Sequence, residues 1–176
     1  MNSRICAACV AGLLMAASAA HSQEPLWIGT FVSEQQSTQG VDAAIETAVA
    51  KMNFITRPIA RSRLKKTNPA YERITISQNG RVINVQFDDR KPIEMPADGT
   101  SIKWKREDGE VFDVAARVIQ GKLVQTFRAE DGYRVNTFSA NQSGQMTMEA
   151  KIASGQLPSP VIYTLLYQRS SGTPAP

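Results

Sequence analysis

The sequence predicts a mainly β protein: an up-and-down antiparallel β-barrel of about ten strands, with a two-helix insertion between strands 1 and 2. Three observations carry this. From residue 71 to residue 168 short runs alternate apolar and polar side chains, and Gly80, Gly99, Gly109, Gly121, Gly132, Gly144 and Gly155 separate them at near-regular intervals. Several of these glycines follow Asn or Asp, as in Asn79-Gly80, Asp98-Gly99, Asp108-Gly109 and Asp131-Gly132, dipeptides that accept the positive φ of tight hairpin turns. A helical period appears only ahead of the second strand, over residues 41–68.

The first strand is read over residues 26–32, where Trp27 and Phe31 share one parity with Gly29 between them. Glycine inside a strand marks a bend or a close backbone approach. Val41, Ile45, Ala48, Val49 and Met52 then recur at helical spacing, and Asp42 and Glu46 in the early turns complement the helix dipole, which predicts a helix over 41–53. A second helix follows. Thr56 is placed to cap it, Pro58 is tolerated in its first turn, and Asn68-Pro69 ends it. Ile55, Ile59, Ala60 and Leu64 form its apolar stripe; its other faces are basic, through Arg57, Arg61, Arg63, Lys65 and Lys66, with Lys51 ahead of them and no acid across residues 51–68.

The meander follows. Ile74 and Ile76 predict one strand, and Ile83, Val85 and Phe87 the next. A weak run at 91–95, flanked by Pro92 and Pro96, fits only an edge or bent strand. Ile102 and Trp104 come next, then Phe112, Val114, Ala116 and Val118, then Leu123, Gln125 and Phe127. Beyond Asp131-Gly132 the inward set is read as Tyr133, Val135, Thr137 and Ser139. Met146, Met148, Ala150 and Ile152 precede a last strand with Val161, Tyr163, Leu165 and Tyr167. Each strand thus has one dry face and one wet face.

The chain of 176 residues divides into three parts. Arg4, the alanine-rich apolar run behind it and the small residues up to Ser22 read as a cleaved secretory signal peptide over 1–22, too short for a comfortable membrane span. A single barrel domain occupies 23–169, and the Ser-Gly-Thr-Pro-rich tail at 170–176 is expected to be disordered. The mature protein is expected to be secreted or periplasmic. Cys6 and Cys9 leave with the signal, and the lone His21 leaves too or remains at the new terminus. The domain therefore carries no thiol nucleophile, imidazole base, disulfide or His/Cys metal site. The aspartates occupy turns where they have structural reasons to be, as at Asp88-Asp89, and no pair of carboxylates converges. No enzyme activity, catalytic residue, metal or cofactor is expected. With 20 Lys+Arg against 16 Asp+Glu the charge is only slightly basic, and no nucleic-acid partner is implied.

The layout resembles the calycin barrels, most closely the intracellular fatty-acid-binding proteins. The residues that carry the resemblance are Trp27-Ile28-Gly29-Thr30-Phe31, the helical segment between residues 41 and 66, the strand and turn from Ile74 to Gly80, and Leu165-Leu166-Tyr167-Gln168-Arg169. The resemblance implies a lidded barrel holding a lipid-like molecule. Two departures stand out. Leu165 occupies the place of the family's last-strand arginine, and the family's other interior arginine falls near Ser139, with Arg134 reading as outward-facing. The ordinary anchoring of a fatty-acid carboxylate is therefore not expected, only Tyr167 carries over, and a preference for neutral ligands follows.

Function is accordingly read as an exported, non-enzymatic barrel that binds and transports a small hydrophobic or amphipathic ligand. The candidate ligand-binding residues are Tyr133, Tyr163, Tyr167 and Gln125, with hydroxyls and an amide to offer, and Trp104 and Phe127 as wall; Thr137 joins them as a further hydroxyl and Met146 and Met148 as adaptable packing. The basic residues Lys51, Arg57, Arg61, Arg63, Lys65 and Lys66 are candidates for transient contact between the lid and an anionic membrane. The chain is expected to act as a monomer. The alternative is a filled barrel acting through its surface, as an envelope protein-interaction or inhibitor module. Inward residue size speaks both ways: Phe112, Phe127 and Trp104 fill, whereas Ala116, Ala150, Thr137 and Ser139 leave room.

Overall fold

A computed structural model describes residues 24–34 and 37–170. The expected signal peptide and all but the first residue of the expected tail lie outside the described residues. Ten strands form one antiparallel sheet: β1 (Gly29–Ser33), β2 (Arg73–Asn79), β3 (Val82–Phe87), β4 (Ile93–Pro96), β5 (Ile102–Lys105), β6 (Val111–Ile119), β7 (Lys122–Arg128), β8 (Gly132–Ala140), β9 (Gln145–Ser154) and β10 (Val161–Arg169). Two helices, α1 (Ser37–Val49) and α2 (Thr56–Thr67), stand between β1 and β2. Strand order is β4-β3-β2-β1-β10-β9-β8-β7-β6-β5, so the sheet curls into a nearly closed barrel whose edges are β4 and β5. The proline-flanked weak run is thus an edge, and a single bridge from Asp98 to Arg117 spans the seam.

The helices differ from expectation at their ends. The first runs over Ser37–Val49 rather than 41–53, because the chain turns at once through Met52 N–H donating to Val49 O. Thr56 opens α2 but does not cap it. The Asn53 side chain does that, its Oδ1 accepting from the N–H groups of Ile55 and Thr56 at 3.0 and 2.9 Å. Val41, Ile45, Ala48 and Val49 seat α1 in the core against β10. Of the expected stripe on α2 only Leu64 is buried and Ala60 partly so; Ile55 and Ile59 face outward. The second helix is therefore held by little apolar area.

Direct cross-strand partners point to the same face, so the register stacks the interior in layers. Leu123, Phe138, Met148 and Leu165 stand opposite one another in turn across β7 to β10, each fully buried. The next layer is Gln125, Asn136, Ala150 and Tyr163, and the one after it, towards α2, is Phe127, Arg134, Ile152 and Val161. On β8 this reverses the expected facing. Arg134, Asn136 and Phe138 point inward, while Tyr133, Val135, Thr137 and Ser139 lie on the outer parity. The β8 sequence is apolar and polar on both faces, and pairing with the unambiguous inward sets of β7 and β9 decides between them. Val118, also expected inward, is exposed near the end of β6.

Gly132 opens β8 beneath Ala153 O and Ser154, where a side chain would collide with the neighbouring backbone; like Gly155, it does not have a left-handed backbone.

Candidate functional site

The barrel is filled at one end and open at the other. Phe31, Ile83, Met95, Leu123, Phe138, Met146 and Tyr167 pack the closed end without accessible surface. Beneath α2 lies a cavity of about 460 Å³, within the range of small-molecule sites. Its apolar wall holds Trp104, Phe112 and Phe127, whose rings meet one another at centroid distances of 5.7 to 6.2 Å. Met52, Ala60 and Leu64 close it from the helical side, and Arg63, Lys66, Arg90 and Lys91 stand around it. The room is thus made where the aromatics are. Ala116 and Ala150, which promised space, are fully packed, and Thr137 and Ser139 point away from it.

The proposed contact residues separate into groups. Trp104 and Phe127 line the cavity. Tyr133 borders it from the outer parity of β8 as an exposed rim residue rather than an inward one. Gln125, Tyr163 and Tyr167 lie below the lining. Tyr167 donates to Tyr71 O at 3.1 Å, and its burial raises the hydroxyl pKa well above the ordinary tyrosine range, so it is a neutral donor holding β10 to the start of the meander. Gln125 accepts from Asn136 Nδ2 at 3.1 Å and contacts Met95 Sδ at 3.5 Å.

Asn136 begins a polar chain that leads up to the helices. Arg134 Nε donates to Asn136 Oδ1 at 2.7 Å, and Arg134 Nη1 donates to Asn68 Oδ1 at 2.8 Å. Asn68, buried at the C-terminus of α2, donates in turn to Leu64 O at 2.9 Å. Arg106, the other arginine against the aromatic wall, is engaged by carboxylates, pairing with Asp108 at 2.7 Å and with Glu110. Its guanidinium lowers the Asp108 carboxyl to about 2. Arg134 has amide oxygens and the Tyr163 hydroxyl instead of a carboxylate.

No protein-family profile and no curated protein matches the sequence. Solved structures do match the fold. A secretory abundant heat soluble protein from Ramazzottius varieornatus superposes with a TM-score of 0.60 at 11% identity, covering 84% of this chain and 97% of that one. A Schistosoma mansoni fatty acid binding protein, in complex with arachidonic acid, gives 0.52 at 16% identity over 83% and 97%. The zebrafish ileal bile acid-binding protein, complexed with cholic acid, gives 0.52 at 13% over 82% and 99%. The fold is a calycin-like barrel. At such identities the likeness establishes architecture, and site chemistry has to come from this chain's own residues.

In this calycin-like barrel the residues that the sequence reading passed over are Arg134, Asn136 and Asn68. Arg134, expected on the outer face, is placed inside by the register, beside Phe127 and Ile152. Ser139 faces outward, so no interior position corresponds to it, and the inward residue at that level is Phe138. No local signal marked them: the parity of β8 that continues the Leu123, Gln125 and Phe127 face is set by its register with β7 and β9.

The basic residues of the lid are not one uniform patch. Arg61 pairs with Glu46 at 2.7 Å and Lys65 with Asp42 at 3.2 Å, both across to α1. Arg57 donates to Ala50 O and Met52 O at 2.6 and 2.7 Å, tying off the end of α1. Among the described residues Lys51, Arg63 and Lys66 make no ion pair, and beside them Phe54, Ile55 and Ile59 are exposed.

Proposed function

We propose that this protein binds a small hydrophobic or amphipathic, lipid-like molecule in the cavity beneath α2, without catalysing a reaction on it, and carries it outside the cytoplasm. The observation that carries the reading is the cavity itself, which has an aromatic wall and lies under a helix with only Leu64 buried, while the rest of the barrel is packed. Neighbours of the same fold described with arachidonic acid and cholic acid support the class of ligand. The leader-like first 22 residues support export to the periplasm or the medium. Gentle purification of the exported protein followed by native mass spectrometry should show a co-purifying small molecule, and Nile red should bind and be displaced by it. A protein that is always empty and binds no hydrophobic dye would end this reading.

The lid supplies the place of exchange. Phe54, Ile55 and Ile59 form an apolar tip, and Lys51, Arg63 and Lys66 give it the charge to meet an anionic bilayer, each contributing on the order of 1 kcal/mol near such a surface. Arg57, Arg61 and Lys65 hold the lid together instead. Replacing Lys51, which does not border the cavity, by glutamate should slow ligand transfer to anionic vesicles with affinity in solution little changed, and the same change at Arg63 and Lys66 should slow it further. Transfer from the unaltered protein that ignores both salt and vesicle charge would exclude the membrane contact.

A further inference from the structure

The cavity is shallow. Its deepest lining residues are Phe87 on β3, Ile93 on β4, Phe112 on β6, Phe127 on β7 and Ile152 on β9. The next inward residue on each of those strands, Val85, Met95, Val114, Gln125 and Ala150, is fully buried and does not line the cavity. Residues on one face of a strand stand about 7 Å apart, so the barrel fills within one such step below the aromatic wall. Only on β8 does the lining continue a step further, to Asn136. Among the described residues none of β1, β2 or β10 borders the cavity, and α1 is packed against β10. The volume of about 460 Å³ therefore spreads sideways beneath α2 rather than down the barrel axis.

A polar strut crosses the floor. Asn136 Nδ2 donates to Gln125 Oε1 at 3.1 Å, and Gln125 Nε2 reaches Met95 Sδ at 3.5 Å, which links β8 through β7 to the edge strand β4. Gln125 and Met95 have no accessible surface, and beneath them the layer of Leu123, Phe138, Met148 and Leu165 is closed. A chain that pushed deeper would part a buried amide pair. An orphaned buried amide costs about 1–3 kcal/mol, more than the roughly 0.8 kcal/mol that burying one further methylene returns.

We propose that Gln125, braced by Asn136 and Met95, is a depth stop that limits the ligand to a compact hydrophobe, of medium chain length or of one or two rings, and rejects an extended long-chain lipid. The proposal rests on the ligand-binding reading above and narrows its class of ligand. The apolar part of such a molecule lies between Trp104, Phe112 and Phe127 and the helical side chains Met52, Ala60 and Leu64, and any further length stays in the mouth, in water.

The test is a series of straight-chain alcohols, hexanol, octanol, decanol and dodecanol, measured by displacement of Nile red. While each added methylene is buried, affinity should rise about fourfold per carbon, so octanol should bind on the order of tenfold tighter than hexanol. From decanol to dodecanol the gain should fall below about twofold, because the added carbons find no buried surface. Gln125→Ala removes the stop while Arg134 still holds Asn136 at 2.7 Å, and it should restore the full gain between decanol and dodecanol. Should that variant fail to fold, the two tryptophans report depth: Trp104 is in the cavity wall and Trp27 is buried beside β1, next to the Leu26 and Ile28 carbonyls that Arg169 holds at the closed end. In Trp104→Phe, dodecanol brominated at its chain end should displace Nile red and leave the Trp27 emission unquenched. A gain undiminished through dodecanol, a ceiling that stays in place in Gln125→Ala, or quenching of Trp27 would each overturn the proposal. If neither the alcohols nor Nile red bind, the ligand-binding reading falls with it; if the alcohols bind ever more tightly with length, only the depth stop does.

Discussion

Phe138→Ala is expected to lower the stability of this protein by about 3–5 kcal/mol, because the ring is fully buried in the closed end of the barrel and its removal leaves a void that the sheet cannot collapse into. Its partners Leu123 and Met148 sit on backbone locked into paired strands, and Leu165 completes the same layer. Equilibrium unfolding in urea measures the loss as a fall in midpoint with the slope preserved. Ligand affinity behaves differently. Phe138 does not line the cavity and reaches it only through neighbours such as Phe87, so Nile red binding should change far less than stability once the variant is folded. A loss below about 1 kcal/mol, the ordinary scale of a point substitution, would show that the closed end is not packed as described.

The second large effect is expected at Gly29. Its φ of +139° lies where L side chains rarely go, and a methyl there would overlap Nη1 of Arg169. Arg169 uses that space to donate to Ile28 O at 2.6 Å and to Leu26 O, and its guanidinium lies 4.7 Å from the Phe31 ring centroid. Gly29→Ala should cost about 1–3 kcal/mol in backbone strain alone and about 1 kcal/mol more for each displaced hydrogen bond. Thermal unfolding of Gly29→Ala, Arg169→Met and the double variant separates the two contributions. In the double variant the collision is gone and Gly29→Ala adds only backbone strain to the loss of the Arg169 contacts, so the paired changes should cost less than their sum. Strict additivity would mean that Arg169 is not the obstacle, and an unchanged melting temperature for Gly29→Ala would contradict the left-handed backbone.

The glycine spacing made ten strands legible because a hairpin turn needs residues of a particular kind, and those residues are local. The same locality explains the edge at β4, where Pro92 and Pro96 withhold donors. Helix ends were less legible. Asn53 caps α2 from three residues ahead of Thr56, and either residue satisfies the preference for a short polar side chain at a helix start. On α2 the apolar stripe was real in sequence, yet Ile55 and Ile59 stay outside because the cavity, rather than a packed core, lies beneath the helix.

Alternation by itself determined that each strand has two faces, that the sheet curls over one of them, and that Trp104 and Phe127 belong to the interior. On β8 it determined nothing about direction, because Tyr133, Val135 and Thr137 make as good an inner face as Phe138 with two polar neighbours. Only the tertiary structure decided it. A one-residue change of register exchanges the faces of a strand, and β8 is held between β7 and β9, whose inward residues admit no alternative. That constraint put Arg134 inside the barrel. It also brought Arg134 to Asn68, 66 residues earlier in the chain, a meeting that no local pattern encodes.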